Sequence, residues 1–311
     1  MSTSVKIVAV SRADAPVVAD EEQIFELLSA VPGLEISAGL LMEAPEISVV
    51  GEVQGPAYQV YTAAAEYTRG SIEDARGAVA LLNGQHTLGF DVSLVPAELA
   101  SDEKKLLIMD VDSTLVQAEV IDELATVAGS GEQVSSITAR AMAGELDFEE
   151  SLRERVATLK GLNESVLGEV AGRLLLSAGA QKLVEIFLAA GHEVCVVSGG
   201  FVQVLSPIAE RLNLSKARAN LLEVEGDLLT GRVSGRVVTA HVKRDSLREW
   251  AKEFGVKKQQ VIAVGDGAND ILMLSEAALG IAFNAKPALA DVADTELNLM
   301  RLDAVRHFVG L

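Results

Sequence analysis

Lys104-Lys105-Leu106-Leu107-Ile108-Met109-Asp110-Val111-Asp112-Ser113-Thr114-Leu115 runs from an apolar stretch into two aspartates one residue apart. Read as a buried parallel strand, it sets Asp110 and Asp112 on the same side of the chain, because strand side chains alternate with a period of two. Adjacent carboxylates at the carboxyl end of a strand repel each other. A divalent cation between them, or a shared proton, removes the conflict. Open α/β sheets bind their ligands at that end. A polar turn after a strand also satisfies Asp-x-Asp, so the pair gains meaning only from what accompanies it.

Working outward, a length of 311 residues suggests about two domains. Hydrophobic residues make up 49% of the chain and aromatic residues 4%, so aliphatic packing must dominate the cores. A formal charge of −19 argues against nucleic acid or an anionic membrane surface as partner. A phosphorylated substrate would meet the same repulsion, so its pocket has to be locally basic or metal-bearing. The lone cysteine, Cys195, sits in the apolar run Glu193-Val194-Cys195-Val196-Val197 and reads as a buried structural thiol. The amino terminus has no basic region leading into a long apolar segment, and no apolar run reaches membrane-spanning length. A soluble cytoplasmic protein is the expectation.

Residues 1–97 read as a separate α+β unit of order βαββαβ, a split βαβ layout. Val5–Val10 is a strand, and Glu21–Val31 a helix with Ile24, Leu27, Leu28 and Val31 on one face. Leu34–Met42 and Glu46–Val53 read as two strands turning at Pro45. Ala57–Leu82 reads as a helix broken near Gly70, and His86–Val95 as the last strand. The layout resembles ACT-type regulatory domains, which bind amino acids at the first strand–helix loop, here Ser11–Val17. Asp14 and Pro16 suit that loop, but the glycine often following such a proline is absent. A structural, dimerising role is preferred over a ligand site for this half.

Pro96–Glu103 is a polar connection, and residues 104–311 form the second unit. Strands at 192–197, 217–222, 260–264 and 279–283 alternate with helices at 179–190, 202–212, 243–254 and 269–277, the signature of a doubly wound parallel α/β sheet. Gly226–Val238 reads as a β-hairpin excursion. The charged, helix-rich stretch of about 118–173 is an inserted cap.

Three further strand ends or helix starts carry polar groups. Val197-Ser198-Gly199-Gly200-Phe201 offers a hydroxyl and two positions without side chains, which can aim N–H and O–H groups at a phosphate or simply make a glycine turn. Gly265-Asp266-Gly267-Ala268-Asn269-Asp270 suits cation binding, and equally a capped helix start. Lys243 opens a helix and taken singly is an ordinary surface lysine.

In this order, the four elements resemble the haloacid dehalogenase superfamily of aspartate-dependent phosphatases, and within it the branch acting on phosphoserine. The resemblance covers about residues 104–300. It implies a doubly wound core with an inserted helical cap, and hydrolysis of O-phospho-L-serine to L-serine and phosphate, the last step of phosphorylated serine biosynthesis. Asp110 would be the nucleophile, forming an aspartyl-phosphate. Asp112 would protonate the leaving oxygen and then activate water. Mg²⁺ would be held by the carboxylates of Asp110 and Asp266 and the backbone carbonyl of Asp112, with Asp270 adjacent. Ser198, Gly199 and Gly200 would grip phosphoryl oxygens, with Asn269 orienting substrate and Lys243 neutralising transition-state charge.

Phosphoserine also carries an ammonium and a carboxylate, which the resemblance assigns to Glu119 and Arg155 in the cap, with Met142 and Phe148 excluding water. Without it, Glu119 and Arg155 are ordinary helix-surface charges, and Arg153 is the rival of Arg155. Two other readings stand beside this one. One is a phosphotransferase, or a phosphatase for another small ester such as phosphohomoserine. The other is an amino-acid sensor, which would have no need of Asp112 or Lys243. A homodimer through the amino-terminal unit is plausible, since exposed sheet edges pair.

Overall fold

The computed structural model describes residues 2–12, 20–85 and 89–311, the side chains of 81–85 aside. The amino-terminal unit comprises β1 (Thr3–Ser11), α1 (Glu21–Ser29), β2 (Leu34–Ile36), β3 (Leu40–Ala44), β4 (Tyr58–Tyr67), α2 (Ile72–Gln85) and β5 (Phe90–Pro96). Its antiparallel sheet runs β2-β4-β1-β5, with β3 also on β4. Asp20 starts α1: its carboxylate accepts the Gln23 N–H while Gln23 accepts the Asp20 N–H, a reciprocal cap.

The order is βαβββαβ rather than the expected βαββαβ: the strand expected over Leu34–Met42 is split into β2 and β3, and two further segments are displaced. Residues 58–67, expected in a helix, form the central strand β4, and Glu46–Val53, expected as a strand, lies in the β3–β4 connection. The alanines of Tyr58-Gln-Val-Tyr-Thr-Ala-Ala-Ala-Glu-Tyr67 favour a helix intrinsically. Burial on the sheet overrides that preference, with Val60, Ala63, Ala65 and Tyr67 covered between neighbours. The helix begins only after Gly70. The loop proposed for amino-acid binding, with Asp14 and Pro16, falls outside the described residues.

Both faces of this sheet are buried. Val5, Ile7 and Ala9 of β1 pack under the helices with Ile24 and Leu28. Val8 and Val10 point the other way, into an apolar cluster that includes Val305, Phe308 and Val309 at the carboxyl end. The alternation in β1 therefore serves two cores.

The second unit is built on a sheet of order β12-β11-β10-β6-β7-β8-β9. Its parallel strands are β6 (Leu106–Met109), β7 (Glu193–Phe201), β8 (Lys216–Glu225), β10 (Val261–Gly265), β11 (Leu279–Phe283) and β12 (Thr295–Leu297); β9 (Leu228–Ser234) folds back antiparallel on β8, so the hairpin expected within Gly226–Val238 is instead made with β8, only its second strand lying in that stretch. Core helices are α7 (Ala180–Ala189), α8 (Val202–Arg211), α9 (Ala240–Phe254), α10 (Ile271–Leu274) and α11 (Pro287–Ala290), and a 3₁₀ segment (Leu302–Val309) ends the fold. Four helices inserted between β6 and α7 form the cap: α3 (Val120–Ala128), α4 (Gly131–Met142), α5 (Phe148–Ala157) and α6 (Ser165–Arg173). From β6 the chain winds one way through β7 and β8, then returns to β10 on the other side of β6. That reversal opens a crevice between the carboxyl ends of β6 and β10, where such sheets bind ligands. Cys195 is free and fully buried, and burial pushes its thiol up to about 12. No helix among the described residues is long and apolar enough to cross a membrane.

Candidate active site

Asp110 follows β6 and is 3% exposed. Its Oδ1 accepts the N–H of Val111 at 2.7 Å and lies 2.7 Å from Lys243 Nζ. Lys243, in the first turn of α9, is completely buried and also reaches Asp270 Oδ1 at 2.8 Å. Burial alone would lower its pKa, but Asp110 and Asp270 outweigh burial and the net shift is upward, so this lysine is a fixed positive charge. Asp270 fits because Gly265 precedes it: a Cβ there would stand 2.5 Å from the Asp270 carboxyl carbon.

Asp112 faces a different set of partners. Its Oδ1 accepts the Val120 N–H at 2.8 Å, at the start of the cap, and its Oδ2 accepts the Ser198 hydroxyl at 2.8 Å. Ser198 Oγ in turn accepts the Gly200 N–H at 2.7 Å. A Cβ on Gly200 would lie 3.1 Å from Asp112 Oδ2, so the absence of a side chain lets the β7 turn close on the acid. Burial, then the charges of Asp110 and Glu119, raise the Asp112 pKa to about 7. One aspartate is thus clamped by a cation and its neighbour is poised to carry a proton near neutrality, although both stand on one strand end.

Carboxylate oxygens of Asp110, Asp266 and Asp270 lie within 4.8 Å of one another and could hold a metal ion. With Lys243 they carry a formal charge of −2, which a divalent cation would neutralise. The donors are all hard oxygens, a set suited to a hard cation rather than to zinc or copper. Asp112 was expected to contribute through its backbone carbonyl; its side chain is turned away, towards Ser198. Lys286 Nζ stands 3.3 Å from Asp266 Oδ2 at the rim of this cluster.

Above these groups is a cavity of about 430 Å³ between strand ends and cap. Asp110, Asp112, Gly199, Gly200, Asp266, Asn269 and Lys286 form its floor and sides. Glu119, Met142, Phe148 and Arg155 line it from the cap. Ser113 donates to Glu119 Oε1 at 3.3 Å. Burial pushes the Glu119 pKa up, against the opposing pull of Lys286. Arg155 lines the cavity, with Nε donating to the Ser151 carbonyl at 3.3 Å, whereas Arg153 faces solvent and pairs with Glu149. Met142 is 85% exposed and Phe148 37%, so the mouth of the cavity stands open in this structure.

The catalytic, substrate and metal candidates read from the sequence are thus brought together here, Ser198 and Lys243 from behind the cavity wall. Two participants were not foreseen in full. Asp270 was placed only as adjacent, but it completes the carboxylate cluster. Lys286 gave no signal beyond standing before a proline after β11.

Residues 104–278 match the model of haloacid dehalogenase-like hydrolases. The phosphoserine phosphatase of Streptomyces coelicolor is 44% identical over 248 residues, covering 80% of this chain; the chain spans only 60% of that longer relative. The phosphoserine phosphatase of Streptococcus thermophilus is 47% identical over 213 residues, 68% of this chain and 99% of the relative. A phosphoserine phosphatase solved as an analogue of its phospho-aspartyl intermediate matches with a TM-score of 0.63 and 42% identity, over 67% of this chain and 99% of that one.

Proposed function

The chain belongs to the haloacid dehalogenase-like hydrolases, and on that premise we propose that it hydrolyses O-phospho-L-serine to L-serine and phosphate. The carrying observation is the split setting of the aspartate pair: Asp110 is ion-paired to the buried Lys243, while Asp112 accepts the Val120 N–H and the Ser198 hydroxyl and has no cationic partner among these contacts.

Asp110 attacks phosphorus in line with the seryl oxygen, and Asp112 gives its proton to that oxygen as it leaves. The ionised Asp112 then takes a proton from the water that hydrolyses the aspartyl-phosphate and is reset for the next turnover. Lys243 holds the Asp110 carboxylate in place and offsets negative charge as the phosphoryl group transfers. The Gly199 N–H binds a phosphoryl oxygen, and the Ser198 hydroxyl and Gly200 N–H do so on leaving Asp112 and each other, with Asn269 beside them. Asp110, Asp266 and Asp270, with the carbonyl of Asp112, would hold Mg²⁺. When bound, the ion supplies the positive charge that lets a carboxylate approach a phosphate dianion. Glu119 faces the substrate ammonium and Arg155 its carboxylate, while Met142 and Phe148 cover the site as the cap shuts.

The reading extends to the last step of serine biosynthesis in the cytoplasm. The amino-terminal unit is assigned a regulatory or dimerising role; among the described residues β2 and β3 pair only with β4, and an open outer edge of this kind supports a homodimer. Steady-state assays over a panel of phosphomonoesters test the substrate. Preference for glycolate, sugar or nucleoside phosphates over phosphoserine would overturn it. Asp110→Asn should lower kcat by about 10³-fold or more and abolish phosphoenzyme formation, as expected for a group acting in the chemical step.

A further inference from the structure

The cap joins the core through two strands of chain, residues 115–117 leaving β6 and residues 174–177 returning to α7. These segments bond to each other: the Gln117 N–H donates to the Leu175 carbonyl at 3.1 Å, and the Ser177 N–H to the Leu115 carbonyl at 2.8 Å. The outgoing segment is itself tied to the catalytic turn, with the Val116 N–H on the Val111 carbonyl at 2.9 Å and a bridge between Asp112 and Val116.

A third segment, from the other sheet, completes this hinge. In the β3–β4 connection, the Val53 N–H donates to the Leu176 carbonyl at 2.9 Å, and the Leu176 N–H to the Gly51 carbonyl at 2.9 Å. Between them stands Glu52, 8% exposed. Its Oε2 accepts the Gly179 N–H at 3.0 Å and its Oε1 the Gln181 N–H at 2.6 Å. These belong to the first turn of α7, whose own N-cap residue, Gly179, has no side chain to offer. A carboxylate meeting orphan N–H groups at a helix start is favourable both as a cap and against the helix dipole.

The connection carrying Glu52 is anchored at its base. Arg301, 1% exposed, donates to the carbonyls of Pro45 at 2.7 Å and Pro56 at 2.6 Å, and is held by Asp303 at 2.8 Å. Gly55 packs so closely that a Cβ would lie 2.4 Å from Arg301 Cδ and 2.7 Å from Ala178 Cβ. The loop is thus a rigid strut between the amino-terminal sheet and the cap hinge.

We propose that Glu52 is a positioning residue for the reaction: by tying the β3–β4 connection to the returning hinge segment and to α7, it sets how readily the cap closes on the amino-acid part of the substrate. The carboxylate fixes the start of α7, while the backbone bridges Glu52 to Leu176, Leu176 to Val116 and Val116 to Asp112 link the same residue through both hinge segments to the catalytic turn. The assignment rests on the phosphoserine reading, because only a substrate contacted by Glu119 and Arg155 feels cap closure.

The test compares phosphoserine with p-nitrophenyl phosphate, which has neither ammonium nor carboxylate. In Glu52→Ala, KM for phosphoserine should rise at least threefold, while kcat/KM for p-nitrophenyl phosphate stays within twofold. Hydrogen exchange should quicken at residues 174–181 and not in β10 or β11. Glu52→Gln keeps the packing and one acceptor oxygen, so it should show the same split at smaller amplitude even if the alanine variant folds poorly. Equal losses on both substrates, no change on either, or faster exchange throughout the sheet would each overturn the assignment. A wild-type enzyme inactive on phosphoserine would instead defeat the substrate reading, and the exchange measurement would still report the tether.

Discussion

Lys286 stands at the rim of the carboxylate cluster that could hold a divalent cation. Its ammonium is 3.3 Å from Asp266 Oδ2 and acts on Glu119 as well, so it offsets two carboxylates at once. On the proposed reading, a metal at Asp266 and a substrate ammonium at Glu119 would withdraw both partners from it. The side chain is 66% exposed, which keeps the effect small. Lys286→Met should tighten Mg²⁺ binding to the substrate-free protein by about two- to fivefold, the range of an exposed pair. Calorimetric titration with Mg²⁺ reads this directly, and weaker binding in the variant would count against it. The same residue marks where single-residue legibility ended. Asp110, Asp112, Ser198 and Asp266 are legible because each ends a recognisable apolar strand. Lys286 and Glu52 acquire their partners only through folding, at ranges that neither spacing nor residue type records.

Among the elements, α5 shows how local sequence supports the site. Asp147 accepts the Glu150 N–H at 2.8 Å and Glu150 accepts the Asp147 N–H at 3.0 Å, so this helix starts with a reciprocal cap. It carries Phe148 at its first residue and Arg155 two turns on, both lining the cavity. Asp147→Ala should cost about 1 kcal/mol, the usual worth of such a cap. Because that loss falls within the cap, exchange in α5 should quicken and KM for phosphoserine rise a few-fold with kcat little changed. The alternation of strands and helices from β6 to β11 was readable for the same local reason: apolar runs bounded by turn residues. β4 was not, since its alanines fit a helix and only its neighbours β1, β2 and β3 make it a strand. The short β12 and the closing 3₁₀ segment escaped too, being defined by what they pack on rather than by their own pattern.

Across the whole molecule, the two sheets meet along a polar seam laid over a shared apolar cluster. Asp91 accepts the Asn298 N–H at 2.7 Å, Arg76 pairs with Asp294, and Tyr58 Oη lies 3.0 Å from His307 Nε2. Burial lowers the His307 pKa to about 4 from 6.5, helped by nearby Arg306. The unfolded chain therefore binds a proton that the folded one refuses. Stability is full above about pH 6.5 and is lost as pH falls towards 4, by about 1–3 kcal/mol for a shift of this size. Asp91 and Asp294, pushed up by burial, act in the opposite sense. The urea midpoint should therefore fall between pH 7.5 and 5 more steeply in the wild type than in His307→Gln. Equal slopes would deny His307 this role. Removing residues 1–100 should leave Val305, Phe308 and Val309 uncovered and give a protein that aggregates or unfolds at lower urea.

That shared cluster also governs how the protein is made. Val8 and Val10 are made about 300 residues before the residues that cover them, Leu302–Val309. At ordinary synthesis rates of roughly 5–20 residues per second, the outer face of the amino-terminal sheet stays bare for about 10–40 s after its own strands are complete. During that interval the growing chain presents an apolar surface that its own later residues will cover.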